Sequence, residues 1–117
     1  MRRDDALLLD MLLALQKIER FTQGLDLHEF HTNDLVQSAV IREFQVLGEA
    51  ARLASQEIKS RYPAIPWKLI AGMRNRLIHE YFDIRLDTVW TTIQRDLPQL
   101  TAVISEVIAS QGSTEQE

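Results

Sequence analysis

The chain has 117 residues, with 13 Lys and Arg against 17 Asp and Glu, a formal charge of −4 with histidine neutral. Its 45% apolar and 26% charged residues suit one globular domain with a single core and exclude wholesale disorder. The lack of cysteine excludes disulfides, thiolate metal sites and a cysteine nucleophile, and fits a reducing, cytoplasmic setting.

The apolar run near the N-terminus is interrupted by Asp10 and is too short to span a bilayer. No small-residue cleavage site follows Met1-Arg2-Arg3-Asp4-Asp5. The expectation is a soluble intracellular protein.

Apolar residues recur at three- and four-residue spacing, and no segment alternates, so the reading is all-α with no sheet. The first helix is expected over about Asp4 to Gln23. Leu7, Leu8, Leu9, Met11, Leu12, Leu13, Ala14, Leu15 and Ile18 cover more than one of its faces. Such a helix is either central or shared between a core and a subunit interface. Gly24 and the polar run from His28 to Asn33 mark a break. A second helix starts at one of the caps Thr32, Asn33 or Asp34 and runs to about Ser60. Along it Ala39, Gly48, Ala50 and Ala51 are small enough to let a neighbouring helix come close. Pro63 and Pro66 mark the next break, and Pro66 suits the first turn of a third helix from Trp67 to about Tyr81. The fourth begins near Leu86 or Asp87 and reaches about Ser110, with a kink at Pro98. Residues 1–110 form the domain, and 111–117 are a polar, frayed tail. Four main helices with short links make an up-down bundle.

The charge is unevenly spread. Lys59, Arg61, Lys68, Arg74 and Arg76 are cations in a stretch with no acid between Glu57 and Glu80. A net acidic protein is no general nucleic-acid binder, but a local basic strip can hold a phosphate. A solvated, cationic helix end is the plainer alternative.

The chemistry concentrates in Arg74-Asn75-Arg76-Leu77-Ile78-His79-Glu80-Tyr81-Phe82. On a continuous helix Arg74 falls in the apolar arc of Trp67, Ile70, Ala71, Met73, Leu77, Ile78 and Tyr81. There it must pair with a carboxylate, reach outward, or face a wet cleft. Asn75 and His79 are four apart and share a face. Arg74 and His79 lie about 140° apart, so they converge only by reach, by fraying, or across a subunit boundary. These groups suit RNA cleavage without a metal. A base must take the ribose 2′-hydroxyl proton, and cations must stabilise the phosphorane. Histidine, with an ordinary pKa of about 6.5, can serve as base or acid. Arginine grips two phosphate oxygens as a fork. The plainer reading pairs Arg74 with Glu49 and makes His79 an ordinary cation at a helix C-terminus.

Arg74-Asn75-x-x-x-His79-x-Tyr81 resembles the signature of the HEPN superfamily, an arginine followed by four to six residues and a histidine. With Tyr81 it resembles the HepT-like branch, small helical ribonuclease toxins paired with minimal nucleotidyltransferase antitoxins. Leu47-Gly48-Glu49-Ala50-Ala51, Pro63-x-x-Pro66-Trp67, Val89-Trp90 and Asp96-Leu97-Pro98 are similar as well. The likeness covers roughly Asp4 to Ile108. It implies a homodimer with two motifs facing one cleft, Arg74 and His79 as the catalytic pair, and Asn75 in support. It further implies AMP transfer by the antitoxin to Tyr81. Arg76 and Lys68 are the candidates for holding RNA phosphates. The implied function is that of a toxin endoribonuclease with RNA as substrate and no cofactor. The alternative is a non-catalytic module that binds a nucleotide or docks a nucleotidyltransferase.

His28 and His31, with Glu29 between them, are a poor metal set, since no further close ligand is evident. Trp67 and Trp90 are expected in the core. Arg42 and Glu43 read as a solvated face.

Overall fold

Leucine spacing builds the first element. In the computed structural model, which describes residues 2–80 and 83–116, helix α1 spans Arg2–Thr22. Its last turn is closed by Thr22, whose hydroxyl donates to the Ile18 carbonyl at 2.8 Å. Gly24 then adopts φ +80°, the left-handed conformation in which a side chain is strained, and the chain turns away. A five-residue helix, α2 (Leu27–His31), follows. A capping box starts it: the Glu29 amide donates to Asp26 Oδ1 at 2.8 Å, and the Asp26 amide donates to Glu29 Oε1 at 3.1 Å. It buries Phe30 completely.

Asn33 caps α3 (Asp34–Leu53), accepting from the Val36 amide at 3.0 Å. Ala54 and Ser55 are extended, and Ser55 caps α4 (Gln56–Arg61). The Pro66 carbonyl takes the first bond of α5 (Trp67–Leu77), from the Ile70 amide at 3.0 Å. Two short strands come next, β1 (Ile78–Glu80) and β2 (Asp83–Ile84), paired antiparallel. Then come α6 (Leu86–Arg95) and α7 (Leu97–Gln116).

Helix α1 packs against both α3 and α7, and α5 packs against α3. Met11, Ile18, Val40, Phe44, Leu47, Ile70, Met73, Leu77, Val89 and Ile104 are wholly buried where these helices meet. Helix α2 lies on α3 and α6, with the Phe30 and Trp90 rings 5.3 Å apart. Leu9 and Leu13 of α1 remain 48% and 44% exposed. Among the described residues no helix is long and apolar enough to cross a membrane.

The all-α class holds, with seven helices among the described residues where periodicity predicts four. The expected second helix divides into α3 and α4. An outside contact makes that break: Asp4 accepts from the Ser55 amide at 3.0 Å and its hydroxyl at 2.6 Å. The expected fourth helix divides at Asp96 into α6 and α7, because Pro98 has no N–H to continue the ladder. Helix α7 runs to Gln116, past the Ser110 at which composition ends it. The third helix stops at Leu77 and not at Tyr81. The β1–β2 pair that follows corrects the expectation of no sheet.

Burial works to raise the Asp4 carboxyl pKa, but the two hydrogen bonds from Ser55, together with the positive charges of the N-terminus and Arg3, outweigh it and hold the group below its ordinary value. Asp4→Ala should destabilise the fold by about 1–3 kcal/mol in urea denaturation, since it strips two part-buried donors of their acceptor. With the folded pKa depressed, this contribution is complete above the unfolded value of about 3.9 and is lost as pH falls through the folded one. Asp4→Asn should flatten that acid limb. An identical limb in the variant would show that Asp4 contributes nothing to it.

Candidate functional site

Helix α5 buries Trp67, Ile70, Met73 and Leu77, a stripe at three- and four-residue spacing. It approaches α3 closely at Gly48, where an added β-carbon would be in van der Waals contact, 3.4 Å from the Ile70 carbonyl oxygen and 3.5 Å from that of Ala71. The Trp67 indole N–H donates to the Tyr62 carbonyl at 3.0 Å and pins the helix start. With one side fixed, the other side and the last turn face outward. Lys68, Arg74, Asn75 and Arg76 are all exposed.

Of the three fates open to Arg74, the structure shows the outward one. Its helical angle falls between those of Ile70 and Trp67, yet its side chain is exposed. Glu49, the acid considered as its partner, is taken by Arg52, whose Nε and Nη2 donate to it at 3.1 and 2.6 Å. Those bonds lower the Glu49 pKa and raise that of Arg52. Among the described side chains, Arg74, Asn75 and Arg76 have no hydrogen-bond or ion-pair partner. Their cations are left to solvent or to an outside anion.

His79 is the middle residue of β1, two residues beyond the end of α5. The angle expected of a continuous helix therefore does not apply to Arg74 and His79. The chain folds back at once: the Arg85 amide donates to the Leu77 carbonyl at 3.1 Å, satisfying an acceptor at the helix end. Ile78 pairs with Ile84, and Glu80 with Asp83. Tyr81 lies outside the described residues. Lys68 stands at the far end of α5 from Arg76, eight residues and about 12 Å along the axis.

Two residues escaped the sequence reading. Glu43 is buried at 7% exposure, on the α3 stripe with Val40, Phe44 and Leu47, which corrects its assignment to a solvated face. Its position three residues after Val40 and four before Leu47 was the available signal. Arg85 is exposed at the start of α6, brought beside the end of α5 by the Leu77 bond. Nothing local in the sequence announces that contact.

The remaining candidates have structural partners. His31 Nε2 lies 2.6 Å from Asp87 Oδ1 and ties α2 to the first turn of α6. Among the described residues no group of three or more His, Asp or Glu side chains could hold a metal ion. Trp67 is buried and Trp90 packs on Phe30.

Comparison with known proteins places this arrangement in context. Residues 11–107 match the family described as Ribonuclease HepT-like. The chain is 39% identical over 103 residues to a Methanocaldococcus jannaschii protein named "Putative RNase MJ0125", covering 88% of this chain and 89% of that one. It is 37% identical over 103 residues to "Putative RNase MJ1216" of the same organism, covering 88% and 85%. It is 37% identical over 91 residues to a Thermococcus cleftensis protein named "Probable ribonuclease HepT", covering 78% and 83%. No solved structure matches the chain.

Proposed function

The chain belongs to the HepT-like ribonuclease family of HEPN proteins, and from that premise we propose that it is the toxin of a toxin–antitoxin pair, an endoribonuclease that cuts RNA without a metal. The observation that carries the reading is the last turn of α5. Arg74, Asn75 and Arg76 project from it unpaired among the described side chains, immediately before the strand that carries His79.

In this reading His79 takes the proton from a ribose 2′-hydroxyl. The oxygen attacks the adjacent phosphorus to form a 2′,3′-cyclic phosphate, the bond to the 5′-oxygen of the next nucleotide breaks, and that oxygen takes a proton from solvent. Arg74 stabilises the charge that builds on the phosphorane oxygens, and Asn75 orients the reacting groups. Arg76 and Lys68 hold flanking phosphates. Cations of the chain itself supply the charge neutralisation, so no cofactor is required. The expected outcome is loss of about 10²–10⁴-fold in RNA cleavage for His79→Ala and for Arg74→Ala, assayed in EDTA with the fold checked by circular dichroism. Full cleavage by either folded variant would overturn the catalytic assignment.

The active species is a two-fold homodimer in which the motifs of both copies share one cleft. The half-exposed Leu9 and Leu13, one turn apart on α1, support self-association, since burying the remaining half of each leucine is worth roughly 1 kcal/mol. Light scattering at micromolar concentration should give twice the chain mass. The mass of a single chain would count against a shared cleft.

A cognate minimal nucleotidyltransferase silences the toxin at Tyr81. The phenolic oxygen attacks the α-phosphorus of ATP, pyrophosphate leaves, and the phenol proton passes to solvent. The attached phosphodiester competes with RNA for Arg74 and Arg76, and the adenosine blocks the cleft. Tyr81→Phe keeps the ring and loses the acceptor oxygen, so it should remain an active nuclease that the partner cannot silence. Intact-mass analysis after incubation with the nucleotidyltransferase and ATP should find an adenylyl group on the wild type alone. Equal mass gain by the Phe variant would remove Tyr81 as the target.

A further inference from the structure

Helix α2 is too short to hold itself in water, since a single turn loses more conformational entropy than its own hydrogen bonds return. Its place is set from outside. The Gln37 side-chain amide of α3 donates to the Phe30 and His31 carbonyls at 2.9 and 3.0 Å, which fastens the C-terminal end of α2 to α3. From that anchor α2 reaches α6 at two points. The Phe30 and Trp90 rings are 5.3 Å apart, and His31 Nε2 lies 2.6 Å from Asp87 Oδ1. Consecutive residues of α2 thereby meet residues three apart on one face of α6.

The start of α6 needs such a hold. Arg85 stands at its N-cap position with no side-chain cap bond. The buried residues of α6, Val89, Thr92 and Ile93, all lie beyond its first three residues. Among the described side chains, the first turn rests on half-buried Leu86 and on the contact between Asp87 and His31. Asp87 is two residues after Arg85, whose amide donates to the Leu77 carbonyl at 3.1 Å, and His79 is two residues after Leu77. Between them Ile84 of β2 pairs with Ile78 of β1. A shift in the first turn of α6 is therefore passed through the backbone to the strand that carries His79. Arg74 does not follow it, because α5 is packed on α3 through Ile70, Met73 and Leu77. The position of His79 relative to Arg74 thus depends on where α6 begins.

Resting on the ribonuclease reading, we propose that His31 and Asp87 are positioning residues for RNA cleavage: α2 braces the first turn of α6, and the brace sets where the β1–β2 hairpin holds the His79 backbone relative to Arg74. Neither residue touches RNA. The contact is open to water, with the His31 side chain 39% exposed and that of Asp87 80% exposed, so it adds little to stability. Its effect is on geometry. Proton transfer depends steeply on geometry, and a misplacement of about 1 Å costs up to about 10²-fold in rate. Loss of the brace lowers kcat and leaves KM, which the α5 cations set.

The test pairs a removing and a retaining substitution at each position. His31→Ala and Asp87→Ala delete the contact. His31→Gln keeps an N–H donor near the place of Nε2, and Asp87→Asn keeps an oxygen that accepts from it. With a labelled single-stranded RNA as substrate, the Ala variants should lose about 10-fold in kcat, with KM unchanged and melting temperature within about 2 °C of wild type. The Gln and Asn variants should recover most of that loss, and the double Ala variant should be no slower than either single one. Full kcat in the Ala variants, a loss that the retaining variants share, or a loss carried by KM would overturn the brace. So would a melting temperature that falls beyond that limit, since it would mark a purely structural contact. Hydrogen exchange of the Arg85 amide is read in parallel and needs no nuclease activity. It should quicken about 10-fold in the Ala variants and stay near wild type in the retaining ones. Unchanged exchange would overturn the brace even where cleavage fell. A wild type that cuts no RNA while Arg85 exchange responds as expected would refute the nuclease reading and leave the brace standing.

Discussion

At Gly48 the backbones of α3 and α5 come so close that a β-carbon would touch the Ile70 and Ala71 carbonyl oxygens. Any side chain larger than a methyl group there would push α5 outward, because interiors at native density have no slack to absorb it. This approach decides which side of α5 is buried. Once Ile70, Met73 and Leu77 are committed to the core, the helix geometry leaves Lys68, Gly72, Asn75 and Arg76 no other direction than outward. The position of the basic face is thus a consequence of packing on the opposite side of the helix.

The electrostatics follow from the same arrangement. Among the described side chains, acids that could quench the basic strip are occupied. Arg52 holds Glu49, Arg61 holds Glu57, and Glu43 is turned into the α3 stripe. Exposed pairs of this kind add little to stability. Their consequence here is for recognition: they leave the α5 face without a competing carboxylate among the described side chains. An acidic protein can in this way carry a local site for a polyanion, with its net charge disfavouring nonspecific adhesion elsewhere.

The end of α5 matters as much as its face. A helix continued to Tyr81 would hold Arg74 and His79 at a fixed angle. The switch to strand after Leu77 frees the histidine's backbone from that constraint, and the Arg85–Leu77 bond closes the turn. Motif residues on both sides of such a junction can be set independently of helical periodicity. The same junction brings Arg85 beside them from the far side of the hairpin.

Much of this protein was legible in its sequence. Three- and four-residue spacing gave the helices and their buried stripes, Asn33 gave a cap, and Pro98 gave a break, because each acts within one or two turns of itself. The small residues of the second predicted helix pointed to a close neighbour, and Gly48 has one. The ordered set of Arg74, His79, Tyr81 and their flanks was enough to point to the family. Tertiary structure alone decided the rest. Ser55 is a capping residue, but the contact that holds the break between α3 and α4 joins it to Asp4, 51 positions away, where no local pattern reaches. Helix α5 stops at Leu77 without a glycine or proline to stop it, because β2 and the Arg85 amide return to take its free groups. Local sequence fixes which conformations are cheap. Contacts between distant segments decide where a helix ends and which charge is left free, since those energies exist only once the segments meet.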